Sequence, residues 1–345
     1  MPLQVRTLDD ASAPAWDAFV DATPEGTFFH RAAWSRVIQK AFGHRTFFTF
    51  AERDGAITGV LPLAQVKTLL FGNALVSNPF CVYGGLLAAD ADSAAALEAH
   101  AASLLRSTGA SVLEFRDRIP AETGSEWVGR PDLYVTFRKP IEADHEHNMK
   151  AIPRKQRAMV RKGIQYGLTS VCHRDTVVLH RAYAESVRNL GTPVFSRRYF
   201  DILLDVFRDA ADIVTVLDDG RPIAAVMNFY FRDEVLPYYG GGTAQARHRA
   251  GNDFMYWEVM RRAAERGCRL FDFGRSKVGT GAHAFKHNWG FTPVPLHYRY
   301  RLAPGAAIPD HNPLNPKYRL FIAAWKRLPL PVANVLGPPI VRGLG

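Results

Sequence analysis

The 345-residue chain is 47% apolar and 22% charged, which argues against disorder over most of its length and allows two domains. Lysine and arginine outnumber aspartate and glutamate by 43 to 33; the resulting +10 favours anionic partners such as nucleic acid, phosphorylated metabolites or an acidic membrane surface. Cys81, Cys172 and Cys268 are too few and too scattered for a disulfide framework or a cysteine metal cluster, which suits a reducing cytoplasm. The first ten residues lack a secretory pattern and no apolar run is long enough for a confident membrane span, while peripheral membrane contact stays open.

In chain order, residues 27–43 read as a helix closed by Gly43, with Phe29, Ala33, Val37 and Phe42 near one face. Two strand-like runs, 44–53 and 56–66, flank Asp54-Gly55, a strong hairpin signal. An alanine-rich helix over 93–106 and a strand over 111–116 follow. Residues 154–162 then carry Arg154, Arg157 and Arg161 at helical spacing, widened by Lys155 and Lys162, behind Pro153 in the first turn. This is a solvated face, a domain bridge or an anion-binding surface. Helices over 177–189 and 198–208 lead to strands 212–217 and 221–231 around the turn at 218–220. Tyr238-Tyr-Gly-Gly-Gly242 reads as a strand end before a flexible turn, followed by a helix over 253–266 and a strand over 269–273. Both halves thus share an order of helix, hairpin, further strand, helix and strand, as a duplication or a common α/β rhythm would produce.

Phe271-Asp-Phe-Gly-Arg-Ser-Lys-Val-Gly-Thr-Gly281, together with Phe285-Lys-His-Asn-Trp-Gly290, the basic segment 153–163 and Asn315-Pro-Lys-Tyr318, resembles the FemAB-related group of the GNAT acyltransferase superfamily. It is similar in particular to the branch associated with exosortase and PEP-CTERM exopolysaccharide systems. The resemblance implies an α/β fold of tandem GNAT-like modules, with mixed sheets flanked by helices. The modules are expected at 1–145 and at 146–305, the second opening with the basic helix, and 306–345 forms a C-terminal extension. Implied with the fold is acyl or aminoacyl transfer to an amine on a cell-envelope or exopolysaccharide precursor by a cytoplasmic enzyme, stationed in one reading at the inner face of the membrane. No tightly bound cofactor is expected. The donor is acyl-CoA or aminoacyl-tRNA; tRNA is disfavoured because the long helical hairpin of some FemAB enzymes has no counterpart in the spacing here. A noncatalytic nucleic-acid-binding protein and a scaffold for envelope-polymer assembly are the alternatives.

Several residues carry the candidate chemistry. Arg247, Gly251 and Asn252 precede a helix whose free amides favour phosphate, although Asn252 can equally cap that helix and Asp253 opposes an anion there. Asp272, flanked by phenylalanines, either assists deprotonation of an attacking amine or makes a buried hydrogen bond or a salt bridge to Arg275. Arg275, Lys277 and Lys286 lie in a glycine-rich stretch that either holds a carboxylate or a phosphate, including the phosphate of a lipid-linked glycan, or is a mobile loop with solubilising charge. His287 is a second candidate base or a surface or packing histidine; with His283 it has helical spacing but lacks an acidic partner, so no metal site is assigned. Tyr239 stands before the glycine run either as a candidate acid or as an aromatic packed beside the turn, and Trp289 as a wall of the acceptor groove. The tail 321–337 joins apolar residues to Lys326 and Arg327 and reads either as packing across a domain or as shallow contact with an anionic membrane; Pro329 and Pro331 argue against one continuous helix.

Overall fold

The computed structural model of the chain describes residues 2–69, 71–121, 124–131, 133–308 and 316–345. The chain forms two compact units: Met1–Leu133, Pro295–His311 and Arg342–Gly345 make the first, Tyr134–Val294 and Asn312–Val341 the second. Of the motif at 315–318, Asn315 lies outside the described residues.

The first unit comprises strands β1 (Gln4–Thr7), β2 (Arg45–Arg53), β3 (Ala56–Thr68), β4 (Gly72–Ser77), β5 (Leu87–Ala88), β6 (Val112–Asp117) and β7 (Val128–Gly129), with helices α1 (Ala13–Ala22), α2 (Trp34–Phe42) and α3 (Ala91–Ser107). The second comprises β8 (Tyr134–Pro140), α4 (His145–Ala151), α5 (Arg154–Gln165), β9 (Thr169–His173), α6 (Thr176–Leu190), α7 (Arg197–Phe207), β10 (Ala211–Asp218), β11 (Arg221–Phe231), β12 (Glu234–Gly242), α8 (Ala244–His248), α9 (Gly251–Glu265), β13 (Leu270–Lys277), α10 (Gly281–Asn288) and β14 (Pro293–Pro295). The chain then returns to the first sheet through β15 (His297–Leu302) and adds α11 (Pro316–Arg327) and α12 (Leu330–Val341) to the second unit.

The sheet orders are β1-β2-β3-β4-β6-β15-β7, with β5 beside β3, and β14-β8-β13-β12-β11-β10-β9. Both follow one plan: four antiparallel strands in sequence, then a parallel neighbour, then an antiparallel one. In the first sheet the parallel pair is β4/β6 and its antiparallel neighbour is β15; in the second they are β12/β13 and β8. The architecture is mixed α/β, each mixed sheet flanked by helices.

Local chemistry accounts for much of this. Asp54 and Gly55 both take positive φ, 54° and 79°, the backbone that a two-residue hairpin between β2 and β3 requires. Gly43 ends α2 in the left-handed region. The helix expected over 27–43 is shorter: Thr27 and His30 cap a single 3₁₀ turn, Phe28–His30, and the Trp16 indole donates to the His30 carbonyl, so α2 starts only at Trp34. Leu61, Leu63, Leu75, Leu97, Phe115 and Trp127 form the first unit's core. In the second, α5 packs on α9 so closely that a Cβ on Gly163 would stand 2.8 Å from that of Phe254.

Candidate active site

The second sheet opens where its parallel strands part. β12 and β13 are in register only at Glu234↔Leu270 and Val235↔Phe271, and no later pair joins them among the described residues. β12 continues beside β11 until Gly242 stands opposite Ala224, whereas β13 follows β8 until Lys277 stands opposite Tyr134. Two strands held together at one end and drawn apart at the other leave a wedge in the sheet, and strand edges of this kind can receive an extended ligand through its amides.

The glycines of β12 serve packing. A Cβ on Gly241 would lie 2.5 Å from the Ser186 Cβ and 2.9 Å from the Ala182 carbonyl, both on α6. One on Gly240 would lie 2.9 Å from Val226, and one on Gly242 would collide with Asn252 and Ala246. Residues 240–242 are therefore strand, not the flexible turn the sequence suggests. Absence of side chains lets helices close on β12 from both sides.

β13 likewise runs past the point where the sequence ends it. Register shifts between Asp272↔Arg138 and Arg275↔Thr136, forming a bulge in which Gly274 has φ 65°. Asp272 Oδ1 accepts the Gly274 N–H at 2.6 Å, and its Oδ2 lies 3.3 Å from Arg138 Nε, within ion-pair range but out of line for a hydrogen bond. Arg138 also pairs with Glu234. Because of the bulge, Asp272, Arg275 and Lys277 stand opposite Arg138, Thr136 and Tyr134, alternate residues of β8, and so share one sheet face. The Arg275 guanidinium lies 4.6 Å from the Tyr134 ring centroid and the Lys277 ammonium 5.7 Å from it.

Lys286 reaches the same bulge from α10. Its ammonium donates to the carbonyls of Gly274 at 3.1 Å and Arg275 at 2.9 Å, with the rings of Phe137 and Phe273 about it. The side chain as a whole is only partly covered, but the ammonium is enclosed. Burial pushes its pKa from 10.5 down to about 7; nearby Asp272 opposes that fall and Arg275 adds to it.

The structure thus places Asp272, Arg275 and Lys277 on one face of β13 and sets Lys286 against the backbone of the same bulge from the Phe137 and Phe273 side, and it disposes the other candidates differently. Asp272 is buried, and the ion-pair partner found for it is Arg138 where Arg275 was expected. His287 is exposed on α10. Tyr239 is buried in an aromatic cluster, its hydroxyl 2.7 Å from that of Tyr199, so it serves the α6–α7 packing. Trp289 is fully buried and donates to Asp253 Oδ1 at 3.2 Å; it is a core residue, not a groove wall. Gly251 lets α8 approach α9, since a Cβ there would stand 3.0 Å from Ile223 and 3.1 Å from Ala246. Asn252 is partly buried beside Gly242, and Arg247 is exposed on α8. Arg154 and Lys155 are exposed at the start of α5, where Arg154, Arg157 and Arg161 line a surface depression of about 390 Å³.

Other contributors escaped the sequence reading. Tyr256 of α9 stacks edge-on with Phe273 at 4.8 Å, near Phe285 and Trp289, and its hydroxyl would be 3.5 Å from a Cβ on Gly240. Burial pushes that phenol up to about 12. Asp253 accepts from Gln156 as well as from Trp289, and burial raises its pKa against the pull of those two bonds. These contacts tie α5, α9 and the segment after α10 into one support beneath the wedge.

Residues 147–287, all within the second unit, match the family model for the acetyltransferase (GNAT) domain. Among solved structures, FemX is 14% identical with a TM-score of 0.65, the match covering 92% of this chain and 100% of FemX. A tandem GNAT protein from the clavulanic acid biosynthesis pathway, solved without AcCoA, is 14% identical with a TM-score of 0.55, covering 89% and 100%. L-PGS from Bacillus licheniformis is 15% identical with a TM-score of 0.54, covering 84% and 91%. No curated protein matches the sequence. The fold is that of tandem GNAT proteins, and with the domain match it supports an N-acyltransferase or aminoacyltransferase.

Proposed function

We propose that the protein transfers an acyl or aminoacyl group from an activated donor to an amine on a cell-envelope or exopolysaccharide precursor. The observation that carries this reading is the wedge between β12 and β13, whose β13 side bears an enclosed lysine with a pKa near neutrality and two further cations. The donor lies extended along the parted strands, its carbonyl toward the bulge. The acceptor amine attacks; a C–N bond forms, and the donor's thioester C–S or ester C–O bond breaks. Neutral Lys286 takes the amine proton, and a proton returns to the leaving sulfur or oxygen. Arg275 and Lys277 hold the anionic donor or a sugar phosphate and offset charge on the carbonyl oxygen. Asp272 positions the bulge through Gly274 and Arg138 instead of acting as the base.

Acyl-CoA is the preferred donor, the clavulanic-acid tandem GNAT protein being described with reference to AcCoA; aminoacyl-tRNA is the second donor class. The envelope setting and the exosortase/PEP-CTERM association are supported by the motifs at 271–281 and 285–290, and the cytoplasmic site by the few, scattered cysteines.

The test is mass spectrometry of small molecules retained by the purified chain, followed by a search for donor-dependent mass gain on amine acceptors. Mass gain with acyl-CoA, reduced about 100-fold or more in Lys286→Arg while donor affinity holds, is the expected result. Arginine keeps the charge but cannot surrender its proton. Absence of mass gain with acyl-CoA and with aminoacyl-tRNA would remove the reading.

A further inference from the structure

The last two helices carry an apolar surface that the transfer reading leaves unused. Both are anchored on the stretch after α6. A Cβ on Gly191 would meet Ile322 of α11 at 2.5 Å, the Trp325 indole donates to the Thr192 carbonyl at 3.1 Å, and a Cβ on Gly337 of α12 would lie 2.8 Å from the Val194 backbone. In α12 the buried side is Ala333, Gly337 and Val341, spaced by four residues. The opposite side is Val332, Val335, Leu336 and Pro339, the i, i+3, i+4, i+7 pattern of a second helical stripe, and it is as apolar as the first. Val335 is 72% exposed and Leu336 48%; on α11, Leu320 is 82% exposed. A helix apolar on both sides is ordinarily covered on both sides.

Charge says what covers this one. Leu330–Val341 contains no charged residue, and residues 316–345 contain no acid, only Lys317, Arg319, Lys326, Arg327 and Arg342. Arg319, Lys326 and Arg327 are exposed. An uncharged apolar stripe next to cations whose own segment holds no acid matches the interface of an anionic bilayer, where the stripe enters the acyl boundary and the cations meet headgroups. No helix among the described residues is long and apolar enough to cross a membrane, so the contact is peripheral.

We propose that the outer faces of α11 and α12 form a docking surface for an anionic lipid bilayer, a property independent of the transfer chemistry. The test is co-sedimentation of the full chain with vesicles of phosphatidylcholine alone and of phosphatidylcholine mixed with phosphatidylglycerol. Binding to the mixed vesicles only, weakening with salt, is expected. Arg319→Ala and Arg327→Ala should each lower the partition about fivefold. Val335→Asp with Leu336→Asp should lower it more than about tenfold, and Val335→Asp alone, at a side chain 72% exposed, should lower it in part with the melting temperature unchanged. Three results would overturn the proposal: no binding to either vesicle, undiminished binding by the double aspartate variant, or a dimer without vesicle affinity that the same variant dissociates, which would assign the face to a second copy of the chain.

Discussion

Replacing Lys286 with methionine tests the enclosed ammonium without requiring a substrate. In the folded chain the lysine pKa falls from 10.5 to about 7, so between those values the unfolded state holds more protons than the folded state. Stability therefore rises with pH across that window, and the cost of burying the charge is fully present below about pH 7. One pKa unit is worth about 1.4 kcal/mol. From about pH 6 to about pH 9 the wild type should gain on the order of 2 kcal/mol that the methionine variant does not. The variant also loses two hydrogen bonds, to the Gly274 and Arg275 carbonyls, but that loss is much the same at both pH values. Urea denaturation of both proteins at the two pH values isolates the titration as a difference of differences. A stability gap that stays constant across the range would show that the ammonium is solvated, and would take from Lys286 its proposed role as a neutral base.

Gly241→Ala should cost about 2 kcal/mol, because its Cβ would meet the Ala182 carbonyl and α6 would have to move; Gly281→Ala, with open space around it, should stay within about 0.5 kcal/mol in the same thermal melts. Asp272→Ala should lower stability by about 3 kcal/mol, since Arg138 and the Gly274 amide lose a buried anion; denaturation equal to wild type would instead free Asp272 for chemistry. His30, buried between Thr27 and the Gly85 carbonyl, has its pKa pushed from 6.5 down to about 4, so stability should fall as pH drops through that interval. His30→Gln should flatten this acid limb in denaturant melts, and an unchanged limb would place its origin elsewhere.

What the sequence disclosed and what it hid divide along the range of the interactions. Asp54-Gly55 announces its hairpin because the turn chemistry is local, and the arginines of α5 announce a helix for the same reason. The extent of β13 was illegible because it depends on β8, more than a hundred residues earlier, and on a bulge that turns Gly274 from an expected strand end into a continuation. Gly240, Gly241 and Gly242 look like a flexible turn in one dimension; only the approach of α6, α8 and α9 shows why no side chain fits there. Lys286, Arg275 and Lys277 could be picked out by composition, whereas the enclosure that shifts Lys286 needs Phe137 and two strand carbonyls. The motif that drew attention to Trp289 also conceals its place: it is core, held by Asp253. Tyr256 left no local signal, since its relevance arises from standing between β12 and the Phe273 ring.

Hydrogen–deuterium exchange of the full chain, with and without a nonhydrolysable acyl-CoA analogue, locates the donor on the second sheet. The analogue should slow exchange in peptides covering 238–242 and 273–277, the two strands that part, and this protection should weaken in Lys277→Ala. Protection confined to other segments, or none at an analogue concentration that saturates binding, would contradict the assignment of the donor to the wedge between β12 and β13.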